Sequence, residues 1–159
     1  MMFIGEFDFL LDERNTCQIP TDFRRELTEA VMNGVVMVKS PDGYLVVYPK
    51  ERWDALLKTW EELPSADGML PWASIFTSKT IKIEKSWEIY IPEEFRKHAN
   101  IKKELVVVGC GDYLEIWDAE RWQKEKIEAQ KTFEELEGIT TSSKIYSHFL
   151  GGEESLKAS

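Results

Sequence analysis

Two polar turns carry the side chains with the clearest potential for binding chemistry. The first turn, residues 12–16, offers the cation of Arg14, and the second turn, residues 84–87, offers that of Lys85. A polar turn held away from the core can present side chains to a partner, and a duplicated turn would present two sets. An ordinary solvated turn is an equally weighted alternative at this point.

The sequence carries no comparable signal for catalysis. It has no glycine-rich phosphate loop, no Gly-x-Ser-x-Gly and no His-Glu-x-x-His, the patterns that would indicate common active sites. The acidic pairs at residues 12–13 and 93–94 could exchange protons, but such pairs are far more often caps and solvated faces. We therefore expect a protein that is not an enzyme and has no small-molecule substrate.

Metal and disulfide chemistry are also disfavoured. The chain has two cysteines, Cys17 and Cys110, without close spacing, and two histidines, His98 and His148. These numbers are too small for a disulfide framework or a typical zinc site. His98 closes a predicted helix, where a cation suits the negative end. The sequence predicts no metal and no cofactor.

Six tryptophans make the sequence unusually aromatic. Aromatic side chains can stack on nucleic-acid bases, but they usually do so in a basic groove. Trp53 and Trp122 occupy matching positions at the start of matching predicted helices, which favours a role in the core. Trp87 is the exception, because it lies in the second turn. The others are Trp60, Trp72 and Trp117.

An internal repeat positions these candidate residues. Ile-Pro-Thr-Asp-Phe-Arg-Arg at residues 19–25 returns 72 residues later as Ile-Pro-Glu-Glu-Phe-Arg-Lys. A Tyr-Leu hairpin and a tryptophan-bearing helix follow each copy. This predicts one module of about fifty residues that occurs twice. We place the modules at residues 4–58 and 76–128, with a linker at residues 59–75 and a helix end and tail at residues 129–159.

Each module is predicted to run strand, turn, strand, short helix, hairpin, helix. In the first module these elements are strands at residues 3–11 and 17–19, a helix after Pro20, a hairpin at residues 35–48 and a helix from Pro49. In the second they are strands at residues 78–83 and 89–91, a helix at residues 92–98, a hairpin at residues 105–117 and a helix from Ala119 to about Gly138. Modules this small bury little apolar surface alone, so we expect them to pair or assemble.

Composition narrows the class of partner. The 159 residues have a net charge of −9, which argues against a broad basic surface for nucleic acid. The two modules carry only −3 and −1 of that charge, which leaves room for a local basic face. No apolar run approaches the ~20 residues of a membrane helix, and no leader opens the chain. We expect a cytoplasmic protein without membrane contact.

Several motifs together resemble the MraZ family. The first copy carries Phe3-Ile4-Gly5-Glu6-Phe7, Leu11-Asp12-Glu13 before the first turn, Ile19-Pro20 with Phe23-Arg24, and Asp42-Gly43-Tyr44-Leu45 leading to Tyr48-Pro49 and Trp53. The same order repeats from Ile83 to Trp122. The resemblance therefore covers about residues 2–125.

The resemblance implies a mainly β fold with short helices, an α+β class. Tandem AbrB-like swapped-hairpin modules would form a pseudo-two-fold double barrel, followed by a C-terminal helix. Family members are nucleoid-associated bacterial regulators, usually ring oligomers, that bind repeated DNA sites before the division and cell-wall gene cluster and commonly repress it. DNA and further copies of the chain are thus the implied partners, with weak contacts added through effective concentration.

The two turns depart from the family's pattern, which is Asp-x-x-x-Arg with a glycine before the arginine. The first turn keeps the aspartate, but Asn15 replaces the glycine and Thr16 the arginine. In the second copy a glutamate replaces the aspartate, Trp87 the glycine and Glu88 the arginine. Both arginines that the resemblance implicates in DNA contact are therefore replaced.

The remaining candidates for DNA contact lie in and beside the turns. Phosphate contacts by Lys and Arg supply much of DNA affinity, and a bidentate arginine on guanine is worth about 1–3 kcal/mol of base discrimination. A carboxylate at Glu88 would repel phosphate instead. The DNA-binding residues predicted from the resemblance are Asp12, Arg14, Lys82, Glu84 and Lys85.

An alternative interpretation keeps the ring but gives this face another role. Trp87 replaces a glycine on a turn, and exposed aromatic side chains serve protein interfaces well. The chain would then be a protein-interaction scaffold that has lost DNA binding. Asn15 and Trp87 could also distort their turns, since a position that prefers glycine can need a positive φ.

Overall fold

The computed structural model describes residues 2–28, 33–62 and 77–141, and the chain forms two compact units, residues 1–120 and 121–159. The elements of the first repeat are β1 (Phe3–Leu10), β2 (Thr16–Gln18), α1 (Thr21–Arg24), a 3₁₀ turn (Arg25–Leu27), β3 (Val35–Lys39), β4 (Leu45–Pro49) and α2 (Lys50–Glu62). Those of the second are β5 (Ser78–Ile81), β6 (Glu88–Tyr90), α3 (Glu93–His98), β7 (Glu104–Gly111), β8 (Leu114–Asp118) and α4 (Ala119–Thr141).

Two prolines end the short strands β2 and β6 and start the short helices. Pro20 and Pro92 precede α1 and α3 with φ of −51° and −58° and extended ψ. Proline lacks an N–H, which removes a donor from the strand ladder and costs nothing at a helix start. In α3, acidic residues occupy the first turn and basic residues the last, which complements the helix dipole.

The large sheet interleaves the two repeats. Its strand order is β1-β7-β8-β4-β3-β5, so the first strand of each repeat pairs with the hairpin of the other. β1 pairs antiparallel with β7 from Phe3↔Gly111 to Leu10↔Glu104, and β5 pairs with β3. The hairpins join through β4 and β8. The predicted fold class, mainly β with tandem AbrB-like swapped-hairpin modules, is confirmed.

Both repeats contribute equivalent residues to one hydrophobic core. Phe23 and Phe95, which occupy matching positions in α1 and α3, are each 1% exposed. The Phe23 ring meets the rings of Phe3 and Phe7 edge to face, with centroids 5.3 and 5.2 Å apart. Because the strand that carries Phe3 is hydrogen-bonded to the second repeat, the first repeat's core is completed only when both repeats are folded.

Several predicted element boundaries differ by one or two residues. β1 ends at Leu10, one residue early, and β2 and β6 each lie one residue before their predicted positions. β4 includes Pro49, so α2 begins one residue later than predicted. β5 ends at Ile81, whereas we predicted a strand through Ile83. Ile83 instead forms an isolated bridge with Ile89. The chain therefore leaves the large sheet after Ile81 and joins the small sheet of β2 and β6 two residues later.

The predicted core role of Trp53 is confirmed, since its side chain is 6% exposed, whereas Trp122, for which the same role was predicted, is only half-buried. α4 extends to Thr141, beyond its predicted end near Gly138. No described helix is long and apolar enough to cross a membrane. The module boundaries stay predictions, and the predicted connector at residues 64–71 and docking segment at residues 145–150 lie outside the described residues.

Gly109 allows a close approach between β1 and β7. A Cβ built there would lie 2.5 Å from the carbonyl carbon of Phe3 and 2.6 Å from the nitrogen of Ile4, distances that real Cβ atoms do not show. Since these are backbone atoms inside a paired strand, they cannot move aside without breaking the pairing. Gly109 is therefore required by the swap itself.

We expect Gly109→Ala to lower the free energy of unfolding by about 2–3 kcal/mol, as overpacking does. Urea unfolding monitored by circular dichroism measures the change. Gly138→Ala is the matched control, because no described atom lies within 4 Å of its Cβ position and alanine favours a helix by up to about 1 kcal/mol. If both variants unfolded at the wild-type urea concentration, the close approach would be wrong.

Candidate nucleic-acid interface

Antiparallel pairing of β2 with β6 brings the two turns together. The register is Thr16↔Tyr90, Cys17↔Ile89 and Gln18↔Glu88. Cys17 and Ile89 point into the core, and burial raises the pKa of the Cys17 thiol to about 12. Since side chains alternate along a strand, the outer face of the small sheet is formed by Thr16, Gln18, Glu88 and Tyr90.

Each turn is closed by the same pair of backbone hydrogen bonds. In the first turn, Asn15 N donates to Asp12 O at 3.0 Å and Asp12 N donates to Thr16 O at 3.2 Å. In the second turn, Trp87 N donates to Glu84 O and Glu84 N donates to Glu88 O, both at 2.9 Å. The turns therefore share one backbone geometry despite their different sequences.

Two further hydrogen bonds tie the turns to each other. Ile19 N donates to Trp87 O at 2.8 Å, and Ile91 N donates to Asn15 O at 3.0 Å. The two bonds are related by the pseudo-two-fold symmetry of the repeat, because each joins one turn to the residue before the other repeat's proline. Neither turn can shift without disturbing the other.

Two arginines of the repeated helix segment stabilise the backbone next to the paired turns. Arg24 Nε donates to Ile19 O at 3.1 Å, and Arg96 Nε donates to Ile91 O at 2.9 Å. Both side chains are half-buried. They satisfy the carbonyls that precede Pro20 and Pro92, so their role in this structure is to hold the backbone on which the turns stand.

Asn15 and Trp87 adopt the left-handed backbone that their positions were expected to need. Their φ angles are +60° and +61°, which confirms the expectation for a glycine-preferring position. Asparagine tolerates this region better than other side chains, whereas a bulky residue there is a clear outlier. The second turn is therefore the more strained of the two.

The indole of Trp87 is not displayed on the surface, contrary to our expectation of an exposed aromatic. It is half-buried and packs against the hydrophobic core. The guanidinium carbon of Arg24 lies 5.9 Å from the centre of its ring, within the range of a cation–π interaction. Packing of the indole on the core therefore offsets part of the backbone strain.

Asp12 orders the first turn through its carboxylate. Oδ1 accepts hydrogen bonds from Arg14 N at 2.9 Å and Thr16 N at 2.8 Å, and Oδ2 accepts one from the Thr16 hydroxyl. The hydrogen bonds from Thr16 and Arg14 and the nearby Arg14 charge hold the pKa of Asp12 below its ordinary value. Thr16, at a signature arginine position, thus closes the turn.

Arg14 is the most accessible cation of the first turn, with 74% of its side chain exposed. Its Nη2 donates to Glu88 Oε2 at 3.1 Å and lies 3.7 Å from Asp12 Oδ2. The Glu88 side chain is only 16% exposed. The structure therefore brings together two predicted site residues that are 74 positions apart, one from each repeat.

Three predicted residues lie on the second repeat's side of the interface. Lys82, Glu84 and Lys85 are all exposed, so their charges are accessible to a large partner. Sequence reasoning missed Gln18 and Arg24 as parts of the site. The 72-residue spacing of the repeats placed both near the turns, but only the strand register shows Gln18 opposite Glu88.

No cluster of three or more His, Cys, Asp or Glu residues in the described part of the chain could hold a metal ion. His98, which we assigned to the end of a helix, is the last residue of α3. Its Nε2 forms a short hydrogen bond with Ser40 O, between α3 and the turn of the β3–β4 hairpin. This contact joins the second repeat to the first.

Comparison with known proteins places the chain in a family. The model of a family described as "MraZ protein, putative antitoxin-like" matches residues 2–69 and 77–140. The chain belongs to the MraZ family. The two matched segments correspond to the two repeats, so both copies of the MraZ module are present.

The similarity to individual relatives extends over most of each relative's length. This MraZ family member is 34% identical over 138 residues to Transcriptional regulator MraZ of Heliobacterium modesticaldum, covering 85% of this chain and 94% of that one. It is 32% identical over 138 residues to the protein of that name from Lactiplantibacillus plantarum, covering 85% and 95%. For Clostridium tetani the values are 34% over 126 residues, covering 77% and 86%.

Replacing Trp87 separates the backbone requirement of the turn from packing of the indole. At a φ of +61°, glycine has no Cβ to clash, whereas alanine incurs a cost of roughly 1 kcal/mol. We therefore expect Trp87→Gly to be more stable than Trp87→Ala by about 1 kcal/mol in urea unfolding. In α4 the order should reverse, with Glu128→Ala more stable than Glu128→Gly by about 1 kcal/mol. The same order at both positions would contradict the left-handed turn.

The hydrogen bond from Thr16 predicts a shifted titration of Asp12. In Thr16→Val the Asp12 pKa should rise toward the ordinary value of an aspartate, as measured by NMR of the carboxyl carbon. Because the folded pKa is depressed, the stability that wild type gains over Thr16→Val is present above about pH 4 and lost as pH falls through the folded pKa. Thr28→Val, which removes a hydroxyl bonded to Arg25 O, should leave the Asp12 titration unchanged. An identical Asp12 titration in Thr16→Val and wild type would refute the assignment.

Proposed function

We propose that this MraZ family member is a DNA-binding transcriptional regulator that represses the division and cell-wall gene cluster. We propose further that it forms a homo-oligomeric ring, binds direct repeats in the promoter and is associated with the nucleoid in the cytoplasm. Support comes from membership of the family and from relatives that are named transcriptional regulators. DNA is the partner that such a name favours.

The observation that carries the proposal is the fixed pairing of the two turns through β2 and β6. Lys and Arg contacts to phosphate position a protein on DNA, and a rigid pair of turns supplies such cations at a constant spacing. Arg14 on one side and Lys82 and Lys85 on the other are exposed. We assign phosphate contact to these three residues.

Two acidic residues named with them have supporting roles in this proposal. The Asp12 carboxylate accepts the backbone N–H of Arg14 and so holds the start of that side chain. Glu84 closes the second turn through its backbone N–H and carbonyl. Direct contact of either carboxylate with phosphate would be repulsive, so we assign both to the shape of the turns.

A single copy of this face should bind DNA weakly. Relative to the signature arginines, Thr16 removes one positive charge, and Glu88 lowers the charge by two units. Fewer cations at phosphate mean lower affinity and a shallower dependence on salt. Several faces on a ring would compensate through effective concentration if the promoter offered several repeats.

The alternative, a ring scaffold without DNA binding, was motivated by the expectation that the Trp87 indole is exposed, whereas this side chain is half-buried. Trp87 packs inward on the core beneath Arg24, so it offers a partner protein little aromatic surface. The replaced arginines at Thr16 and Glu88 are the feature that still favours the scaffold. A DNA titration discriminates the two functions directly.

We expect the full chain to bind a promoter fragment from upstream of the source organism's division cluster, with affinity that falls as salt rises. Fluorescence anisotropy at several salt concentrations measures this. Arg14→Ala/Lys85→Ala should bind more weakly and, having lost two phosphate contacts, reduce the slope of log K against log salt by about 1–2.

Lys58→Ala/Lys131→Ala is the matched control, since it removes the same charge from the exposed faces of α2 and α4. It should keep the wild-type salt slope. If the control weakened binding as much as the turn variant, the turns would not be the contact surface. No binding at low salt by any of these proteins would reject the proposed function in favour of a scaffold.

A further inference from the structure

Glu88 is held on both carboxylate oxygens by residues of the other repeat. Its Oε2 accepts a hydrogen bond from Arg14 Nη2 at 3.1 Å, and its Oε1 accepts a long one from Gln18 Nε2 at 3.5 Å. Gln18 lies directly opposite Glu88 in the strand register, and its own Oε1 accepts a hydrogen bond from Arg24 at 3.1 Å. These contacts fix the carboxylate in front of Arg14.

The charge of Arg14 is therefore exposed but already partnered. Its guanidinium is flanked by two carboxylates, those of Glu88 at 3.1 Å and Asp12 at 3.7 Å. An anion that approaches Arg14 must either displace Glu88 or approach a second negative charge at short range. Because 74% of the Arg14 side chain is in solvent, its ion pairs are weak. Displacement of Glu88 is therefore possible, but it subtracts from whatever the new contact contributes.

We propose that Glu88 competes with DNA phosphate for Arg14 and so limits the affinity of the paired turns. This inference rests on the proposed DNA-binding function and adds the residue that restrains it. Glu88 has two effects. It replaces a signature arginine, and from the opposite repeat it also neutralises Arg14, the exposed cation of the first turn. The two turns are thus coupled electrostatically as well as through their backbones.

The proposal has a specific consequence for salt dependence. The slope of log K against log salt reports the number of phosphates that the protein effectively neutralises. When a phosphate displaces Glu88, the released carboxylate remains beside the DNA and cancels about one unit of that neutralisation. The contribution of Arg14 to the slope is therefore suppressed while Glu88 carries its charge.

Glu88→Gln tests the competition while preserving the shape of the side chain and its ability to bond Gln18. We expect it to bind the promoter fragment roughly two- to fivefold more tightly than wild type at low salt, the range of an exposed ion pair. Its salt slope should be steeper by about 1. Fluorescence anisotropy with the full chain measures both quantities.

Two comparisons make the effect specific to Arg14. Glu84→Gln removes a negative charge from an exposed residue of the second turn, and it should change affinity and slope less than Glu88→Gln does. In an Arg14→Gln background, Glu88→Gln should lose most of its gain, since the competition needs the guanidinium. Circular dichroism of each variant would verify that the fold is kept.

The outcomes separate this inference from the function on which it rests. If wild type binds with salt dependence but Glu88→Gln gains no more than Glu84→Gln, or gains equally without Arg14, the competition is wrong and the DNA-binding function stands. If no variant binds DNA even at low salt, the proposed function fails and the competition fails with it.

Discussion

The antiparallel pairing of β2 with β6 is the interaction on which the rest of this structure depends. It is only three residues long on each strand, yet it joins the two repeats at the point where both turns emerge. The strand swap that places β1 on β7 and β5 on β3 encloses it with a common core. A short ladder of this kind is unstable alone, so the interface exists only because both repeats fold together.

The two turns have the same backbone geometry but different side-chain contacts. Asn15 and Trp87 have nearly the same φ, but the first is a polar residue suited to that conformation and the second carries a half-buried indole that contacts Arg24 of the opposite repeat. Thr16 and Glu88 occupy equivalent positions, yet Thr16 bonds within its own turn while Glu88 reaches across to Arg14. The two repeats thus share one backbone geometry but differ in the contacts that their side chains make.

Much of the fold could be predicted from the sequence because it rests on local signals. The Ile-Pro segments, the turns and the hairpins recur at fixed spacing, and a glycine-preferring position predicted the positive φ of Asn15 and Trp87. The pairing of Arg14 with Glu88 could not be predicted, since it depends on the register of two strands 70 residues apart in the chain. The inward direction of the Trp87 side chain likewise follows from tertiary packing, so the sequence wrongly indicated an exposed aromatic.

The arginines of this chain show why charge alone does not locate a nucleic-acid site. Arg24 and Arg96 belong to the repeated segment and lie near both turns, yet their Nε groups donate to backbone carbonyls and their side chains are half-buried. Arg14 has the exposure that phosphate contact needs, but two carboxylates flank it. A count of cations would treat the three as equal. Their hydrogen bonds instead divide them into two that hold the turns in place and one whose availability to a partner is governed by Glu88.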